Sequence, residues 1–294
     1  SADLLRQADI AMYAAKNEGR AFCWYQAELD QYSRRRLFLL SSLAQGVEDN
    51  QLFLEYQPKI DLATGGLSGF EALVRWNHPE MGVIPPGDFI PYAETNEVIG
   101  PMTRWVIREA VRQAALWRAE GLQLTMAINL SARNLADDTL LDFLMGCLRD
   151  NDFPAESIEL EITESTLMMR PVQAMEILLA LRERGLKIAI DDFGTGYSSL
   201  AYLARLPVST LKVDQAFVKD MLSSKTDEQI VRSVIGLAHE CHLNVVAEGV
   251  EDEAVLSALR GMGCDLAQGF FIARPMVATR AEAWMADYQG RLLA

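Results

Sequence analysis

From Leu52 onward, short runs rich in β-branched and aromatic residues alternate with longer amphipathic stretches of helical period. The pattern predicts strands at 52–61, 69–76, 124–129, 158–162, 187–190, 210–213, 244–247 and 265–271. Helices are expected at 102–120, 138–151, 172–184, 198–205, 227–242, 253–262 and 281–288. Eight strands interleaved with helices argue for an α/β fold, a TIM-like (β/α)8 barrel. The first two strands depart from that rule. Only the short segment Leu62–Ser68, with Gly65 and Gly66 inside it, separates them. A link that short makes a hairpin, so the first strand should run antiparallel to the second. The alternative, an open doubly wound sheet, wants a glycine-rich phosphate loop after its first parallel strand, and none is present.

Upstream of the rhythm, residues 1–25 hold a helical pattern (Leu4, Leu5, Ala8, Ile10, Ala11, Met12, Ala15) that ends at Asn17-Glu18-Gly19. A short apolar stretch, Ala21 to Tyr25, follows. Such a segment is too small to fold alone. With Ser1 in place of Met, it reads as a piece of a longer protein. From Gln26 the chain reads as a charged connecting helix, whose Arg34-Arg35-Arg36 is either a solvated face or a basic docking patch. The expected division is 1–25, a connector at 26–38, and the barrel at 39–294.

Composition narrows the class. Half of the 294 residues are hydrophobic and 23% are charged, enough for one large barrel core. The formal net charge of −14 argues against a nucleic-acid polymer as partner, because such binding depends on neutralising phosphates. A phosphorylated small substrate would need local positive charge from metals and a few placed Lys or Arg side chains. Cys23, Cys147, Cys241 and Cys264 lie far apart with no CxxC pair, which suits a reduced cytosolic compartment. No stretch approaches the roughly 18 apolar residues of a membrane span.

Candidate chemistry lies at the strand ends. Glu71, Asn129, Glu161 with Glu164 just beyond, Asp191-Asp192, Lys212 with Asp214, Glu248 and Gln268 all fall at or near the C-terminal ends of proposed strands. In a β/α barrel these ends meet at one mouth, where active sites are built. Any one of them could be an ordinary solvent-facing residue, but the whole set on one face points to a site. Converging carboxylates resist ionisation unless cations sit among them. An all-oxygen donor set favours Mg²⁺ or Mn²⁺ over zinc. Adjacent Asp191 and Asp192 could share a carboxylate between two ions, as two-metal phosphoryl chemistry requires. The loop Asp191–Leu200, with Gly194 and Gly196, is either a plain strand-to-helix turn capped by Ser198 or Ser199, or a mobile or interface loop that keeps the ligands in register. His239 and His242, three apart on a helix, lack a partner that would complete a zinc site.

At these positions the sequence resembles the EAL domain, the cyclic-di-GMP-specific phosphodiesterase family of bacterial signalling. The naming triplet stands as Glu71-Ala72-Leu73, followed by Val74-Arg75-Trp76. Tyr56-Gln57-Pro58, Asn129-Leu130-Ser131, Glu161-Ile162-Thr163-Glu164, Asp191 through Leu200 and Leu211-Lys212-Val213-Asp214 also match. So do Ala247-Glu248-Gly249-Val250-Glu251 and Gln268-Gly269-Phe270-Phe271. The likeness runs from about Leu39 to the C-terminus, with many motifs in order and spacing. Residues 1–25, through Ala8–Lys16 and Gly19-Arg20, resemble the last helix and turn of a GGDEF (diguanylate cyclase) domain, without its catalytic loop.

The resemblance implies a set of roles. Glu71, Asn129, Glu161 and Asp191 would bind one metal; Asp191 would bridge to a second that also uses Asp192 and Glu248. Lys212 would orient or help deprotonate the attacking water, with Gln268 in support. Glu164 would anchor the loop that begins at Asp191. Gln57, Leu73, Arg75, Asp214 and Glu251 would contact substrate, Arg75 through a phosphate. The product would be linear 5′-pGpG. A homodimer through the region of the loop after the fifth strand, and a GGDEF domain in the parent chain, would complete the partners. The domain would be cytoplasmic, whether or not the parent is anchored in the inner membrane. Two rivals remain: a non-catalytic cyclic-di-GMP receptor, which would usually lack metal ligands that this chain keeps, and an enolase-type barrel using Lys212 as base.

Overall fold

The computed structural model describes residues 4, 5, 7, 8, 11, 12, 15, 22–26, 38, 39, 42–169, 171–194, 200–203 and 205–288. The strands are β1 (Leu52–Asp61), β2 (Leu67–His78), β3 (Gly82–Ile84), β4 (Thr125–Asn129), β5 (Ile158–Thr163), β6 (Lys187–Phe193), β7 (Thr210–Val213), β8 (Asn244–Ala247) and β9 (Leu266–Ala267). Among the described residues, the helices of eight or more residues are α1 (Pro86–Glu94), α2 (Ile99–Ala119), α3 (Leu140–Asp150), α4 (Pro171–Glu183), α5 (Lys225–Glu240), α6 (Glu253–Gly261) and α7 (Ala278–Asp287). The chain divides into two compact units, one of residues 1–52 and 76–99, the other of residues 53–75 and 100–294.

The larger unit is the barrel. Its strands run in the order β1-β9-β8-β7-β6-β5-β4-β2, and β1 also pairs with β2, which closes the ring. β2 and β4 through β9 are mutually parallel, and β1 is antiparallel to β9. The fold is thus the expected TIM-like (β/α)8 barrel with its first strand reversed. The β1–β2 turn is held by Asp61, whose Oδ1 accepts from Ala63 N, Thr64 N and Thr64 Oγ1.

Every second residue of a barrel strand faces the helices, and the alternate ones face the axis. On β5, Ile158, Leu160 and Ile162 join the aliphatic shell under the helices, while Glu159 and Glu161 point inward. On β2, Phe70 packs outward on Trp117 of α2, ring centroids 4.9 Å apart; Tyr56 of β1 meets the same indole at 5.0 Å. Trp117 Nε1 in turn donates to Glu282 of α7 (3.1 Å), which docks the last helix. Fully burying side chains of this kind stabilises by about 1.5–3 kcal/mol each.

In the smaller unit, β3 pairs antiparallel with the end of β2, Trp76 opposite Ile84. Trp76 is fully buried; its edge meets Phe89 and His78, and its Nε1 donates to Gln51 Oε1 (3.1 Å). Residues 42–48 are helical. The expected connecting helix and its three arginines fall mainly on residues 27–37, outside the described residues. So do much of the 1–25 pattern and the Ser198 or Ser199 cap.

The strand expected at 265–271 is corrected to Leu266–Ala267. Beyond it the chain turns, because Gly269 lies directly on the backbone of Val250: a Cβ there would overlap Val250 N and O. Val250 N donates to Gln268 O (3.1 Å) and Phe271 N donates to Val250 O (3.0 Å), so the ends of β8 and β9 are stitched together. A methyl group at this seam has nowhere to go. Gly269→Ala should lower stability by about 1–3 kcal/mol, read as a shift in the urea midpoint; an unchanged midpoint would contradict this packing.

Candidate metal centre

The register of the parallel strands brings the inward rows to common heights. Asn129 stands opposite Glu161, Glu161 opposite Ala189, and Thr163 opposite Asp191. Glu71 of β2 stands beside Ala127 of β4, and Lys212 of β7 beside Val246 of β8. The strand ends therefore converge at one mouth, with Lys212 in the midst of them. Its Nζ lies 2.6 Å from Glu161 Oε2, 2.7 Å from Glu248 Oε1, 3.1 Å from Asp191 Oδ1 and 3.7 Å from Glu71 Oε2.

Asp191 and Asp192 are sequence neighbours, so regular alternation would send their side chains to opposite faces. A break in register between Ile190 and Phe193, with Asp192 in left-handed backbone (φ 54°), re-aims the second carboxylate. As a result one oxygen each from Asp191, Asp192 and Glu248 lie within 4.8 Å of one another, a spacing that could hold a metal ion. Left-handed backbone at a non-glycine residue carries a strain cost, and strain of this kind clusters at functional sites.

Amides fix the remaining acids. Glu71 accepts from Asn129 Nδ2 (2.7 Å) at one oxygen and from Gln268 Nε2 (2.7 Å) at the other. Gln268 also donates to Gln57 Oε1 (3.0 Å), and Gln57 Nε2 donates to the carbonyl of Ala273 (3.2 Å). Glu164 Oε2 accepts from Gly194 N (3.0 Å), just past the bulge.

The electrostatics follow first from burial and then from too many acids around too few cations. Burial alone would raise Glu71, but Lys212 and the two amide donors outweigh it and bring the carboxyl down to about 2. Glu161, fully buried and close to Glu71, is pushed well above the carboxylate range. Burial, then Asp191 and Glu71, raise Glu248 to about 7 against the pull of Lys212. Burial, Asp191 and a hydrogen bond with Asp214 raise Asp192 to about 6. Lys212 loses by burial but gains more from its carboxylates, so it stays firmly protonated. Such a group is a hydrogen-bond donor and a fixed charge; it is a poor proton acceptor.

The donor set fits a divalent cation. It is all oxygen, it carries negative charge that Lys212 does not balance, and it includes one buried amide oxygen, Gln268 Oε1, with no hydrogen-bond partner among the described residues.

Of the other expected contacts, Leu73 and Arg75 lie on β2, and Asp214 and Glu251 follow β7 and β8. Arg75 is half-buried and pairs with Glu55 (2.7 Å). Asp214 caps the short helix Gln215–Asp220 through Ala216 N (2.7 Å). Exposed Glu251 pairs with Lys219 (2.9 Å), and Leu73 is half-buried. His239 meets Asp265 (2.9 Å) rather than a second histidine.

The strand interiors also carry charge that the reading of strand ends does not reach. Lys59 of β1 and Glu159 of β5 are buried in the barrel, 2.6 Å apart, with Thr210 Oγ1 donating to Glu159 (2.6 Å). The period of two was the available signal: Glu159 shares a face with Glu161, and Lys59 with Gln57.

A closed (β/α)8 barrel with a ring of buried acids at the C-terminal mouth defines a barrel suited to cation-assisted chemistry on anionic substrates. The chain belongs to the EAL-domain family, which it matches over residues 40–275. Among its relatives, cyclic di-GMP phosphodiesterase PdeR of Escherichia coli (strain K12) is 42% identical over 292 residues, covering 99% of this chain and 44% of PdeR. The bifunctional diguanylate cyclase/cyclic di-GMP phosphodiesterase MucR of Pseudomonas aeruginosa is 41% identical over 286 residues, covering 97% of this chain and 42% of MucR. The chain thus spans less than half the length of these relatives. The solved structure of PaMucR phosphodiesterase in complex with c-di-GMP superposes with a TM-score of 0.80 at 43% identity, covering 83% of this chain and 99% of that one.

Protons and cations compete for the same oxygens. Asp192 and Glu248, at about 6 and about 7, hold protons in acid and release them as pH rises. Mn²⁺ should therefore raise the thermal midpoint more at about pH 8 than at about pH 5.5. Equal shifts at both pH values would contradict the assignment.

Proposed function

We propose that this chain hydrolyses cyclic-di-GMP to linear 5′-pGpG with two divalent cations, Mg²⁺ or Mn²⁺, and so terminates a bacterial signal. The observation that carries the reading is the complete acidic ring gathered around Lys212. The names of PdeR and MucR, and the ligand in the PaMucR structure, support cyclic-di-GMP as the substrate.

In this reading Glu71, Asn129, Glu161 and Asp191 hold one cation, and Asp191, Asp192 and Glu248 the other. Bound cations would supply Lewis acidity at the phosphodiester and ease ionisation of the attacking water. The chain's own groups do the rest. Lys212 Nζ donates hydrogen bonds at the centre of the ring and orients what binds there. Gln268 keeps Glu71 in place and has a free amide oxygen to offer a water. Arg75 pairs with a phosphate oxygen, while its Nε is held by Glu55. Gln57, Leu73, Asp214 and Glu251 line the rest of the ligand's path. Glu164, by gripping Gly194 N, holds the bulged end of β6.

The parent protein in this reading joins a GGDEF domain, with residues 1–25 as its tail, to the catalytic barrel. Two copies associate near the loop that follows β6, and the barrel lies in the cytoplasm. The short cover of PdeR and MucR supports a longer parent.

Purified chain supplied with Mn²⁺ or Mg²⁺ should convert cyclic-di-GMP to the linear dinucleotide, resolved by chromatography, and chelation should stop it. Tight binding without turnover under every metal would favour a receptor instead. Glu71→Ala should lower kcat by at least about a hundredfold, since even outer-shell changes cost about 10–100-fold. Wild-type turnover in that variant would overturn the ligand assignment.

A further inference from the structure

Beneath the acidic ring lies a second buried charged pair, Lys59 and Glu159. Lys59 Nζ, 1% exposed, lies 2.6 Å from Glu159 Oε2 and 3.4 Å from Glu161 Oε1. The other oxygen of Glu159 accepts from Thr210 Oγ1 at 2.6 Å. The other oxygen of Glu161 belongs to Lys212 at 2.6 Å. Thr210, Glu159, Lys59, Glu161 and Lys212 thus form one chain of contacts along the barrel interior.

We infer that Lys59 is a positioning residue for Glu161, itself held by Glu159 and Thr210. The inference rests on the reading of Glu161 as a cation ligand. Three features carry it. A buried ion pair is a poor way to fill a core, because apolar side chains of similar volume do so without desolvating two charges. The pair is also not closed on itself: Lys59 reaches past Glu159 to the one oxygen of Glu161 that Lys212 leaves free. Finally, a carboxylate gripped at both oxygens cannot swing about its last bond, which keeps its donor geometry ready for an incoming ion. Glu159 cancels the charge of Lys59, so the ammonium can support Glu161 with little net repulsion of a cation above it.

The test pairs Mn²⁺ affinity, measured by calorimetry, with thermal midpoints. Lys59→Met alone strands Glu159 in the interior and should unfold more readily. The double variant Lys59→Met/Glu159→Gln removes both charges and should regain most of the lost midpoint. In that variant Mn²⁺ should bind about tenfold more weakly or worse, and kcat should fall while KM for cyclic-di-GMP holds. A folded double variant with wild-type Mn²⁺ affinity would make the pair mere core filling and overturn the proposal. Thr210→Val, a milder isosteric change, covers the case of a double variant that fails to fold. It should weaken Mn²⁺ by about twofold or more, and unchanged affinity there would equally overturn the inference. Glu161→Gln separates the two levels: it should abolish tight Mn²⁺ binding, and wild-type affinity in it would strike down the ligand reading itself, and the proposal with it.

Discussion

The structure turns on one buried ammonium. Lys212 is almost fully enclosed and is surrounded by Glu71, Glu161, Asp191 and Glu248. Without it those carboxylates could not share a low-dielectric mouth. Even with it they are not balanced, and burial first, then their mutual repulsion, pushes Glu161, Glu248 and Asp192 upward. A single lysine therefore makes the site foldable while leaving negative charge for divalent cations to answer. The bulge at Asp192 serves the same end, since it adds a carboxylate that regular strand geometry would have sent elsewhere.

Placing polar residues inside a barrel has a cost. Each ion removed from water loses several kcal/mol of solvation, against a net stability of only about 5–15 kcal/mol for a typical domain. The offset lies on the outer faces of the same strands. Phe70, Ile128, Leu160, Ile188, Leu211 and Val245 are all buried to within 1% and belong to one continuous apolar cluster under the helices. Function and stability are thus separated by the two-residue period of the strand: one row holds charge, the next holds the core. The closed ring of strands lets both rows exist without an exposed edge.

That period also explains what could be read from the chain alone. Strand ends bearing Glu71, Asn129, Glu161, Asp191 and Glu248 stood out because charged residues end apolar runs, and a barrel has one mouth where such ends meet. Gly65 and Gly66 in so short a link made the reversed first strand legible. Helix α1 is not legible in the chain, since Pro85, Pro86 and Pro91 crowd it, although Pro86 at the first helical position loses nothing by lacking an N–H. Strand β3 was too short to carry a pattern. The Lys59–Glu159 pair was hidden for a different reason: a lysine and a glutamate about a hundred residues apart become partners only once the barrel closes. The left-handed turn at Asp192 has no sequence signature, since an aspartate there serves equally well on a regular strand.

If the mouth around Lys212 is a cation site, its ions can be seen. Crystals of the chain soaked in Mn²⁺, measured at a wavelength where manganese scatters anomalously, would locate the ions directly. Anomalous peaks are expected within coordination distance of Asp191, Asp192 and Glu248 and of Glu71 and Glu161, with Lys212 Nζ displaced from at least one carboxylate. Peaks confined to surface acids, with Lys212 still bound to all four carboxylates, would contradict it.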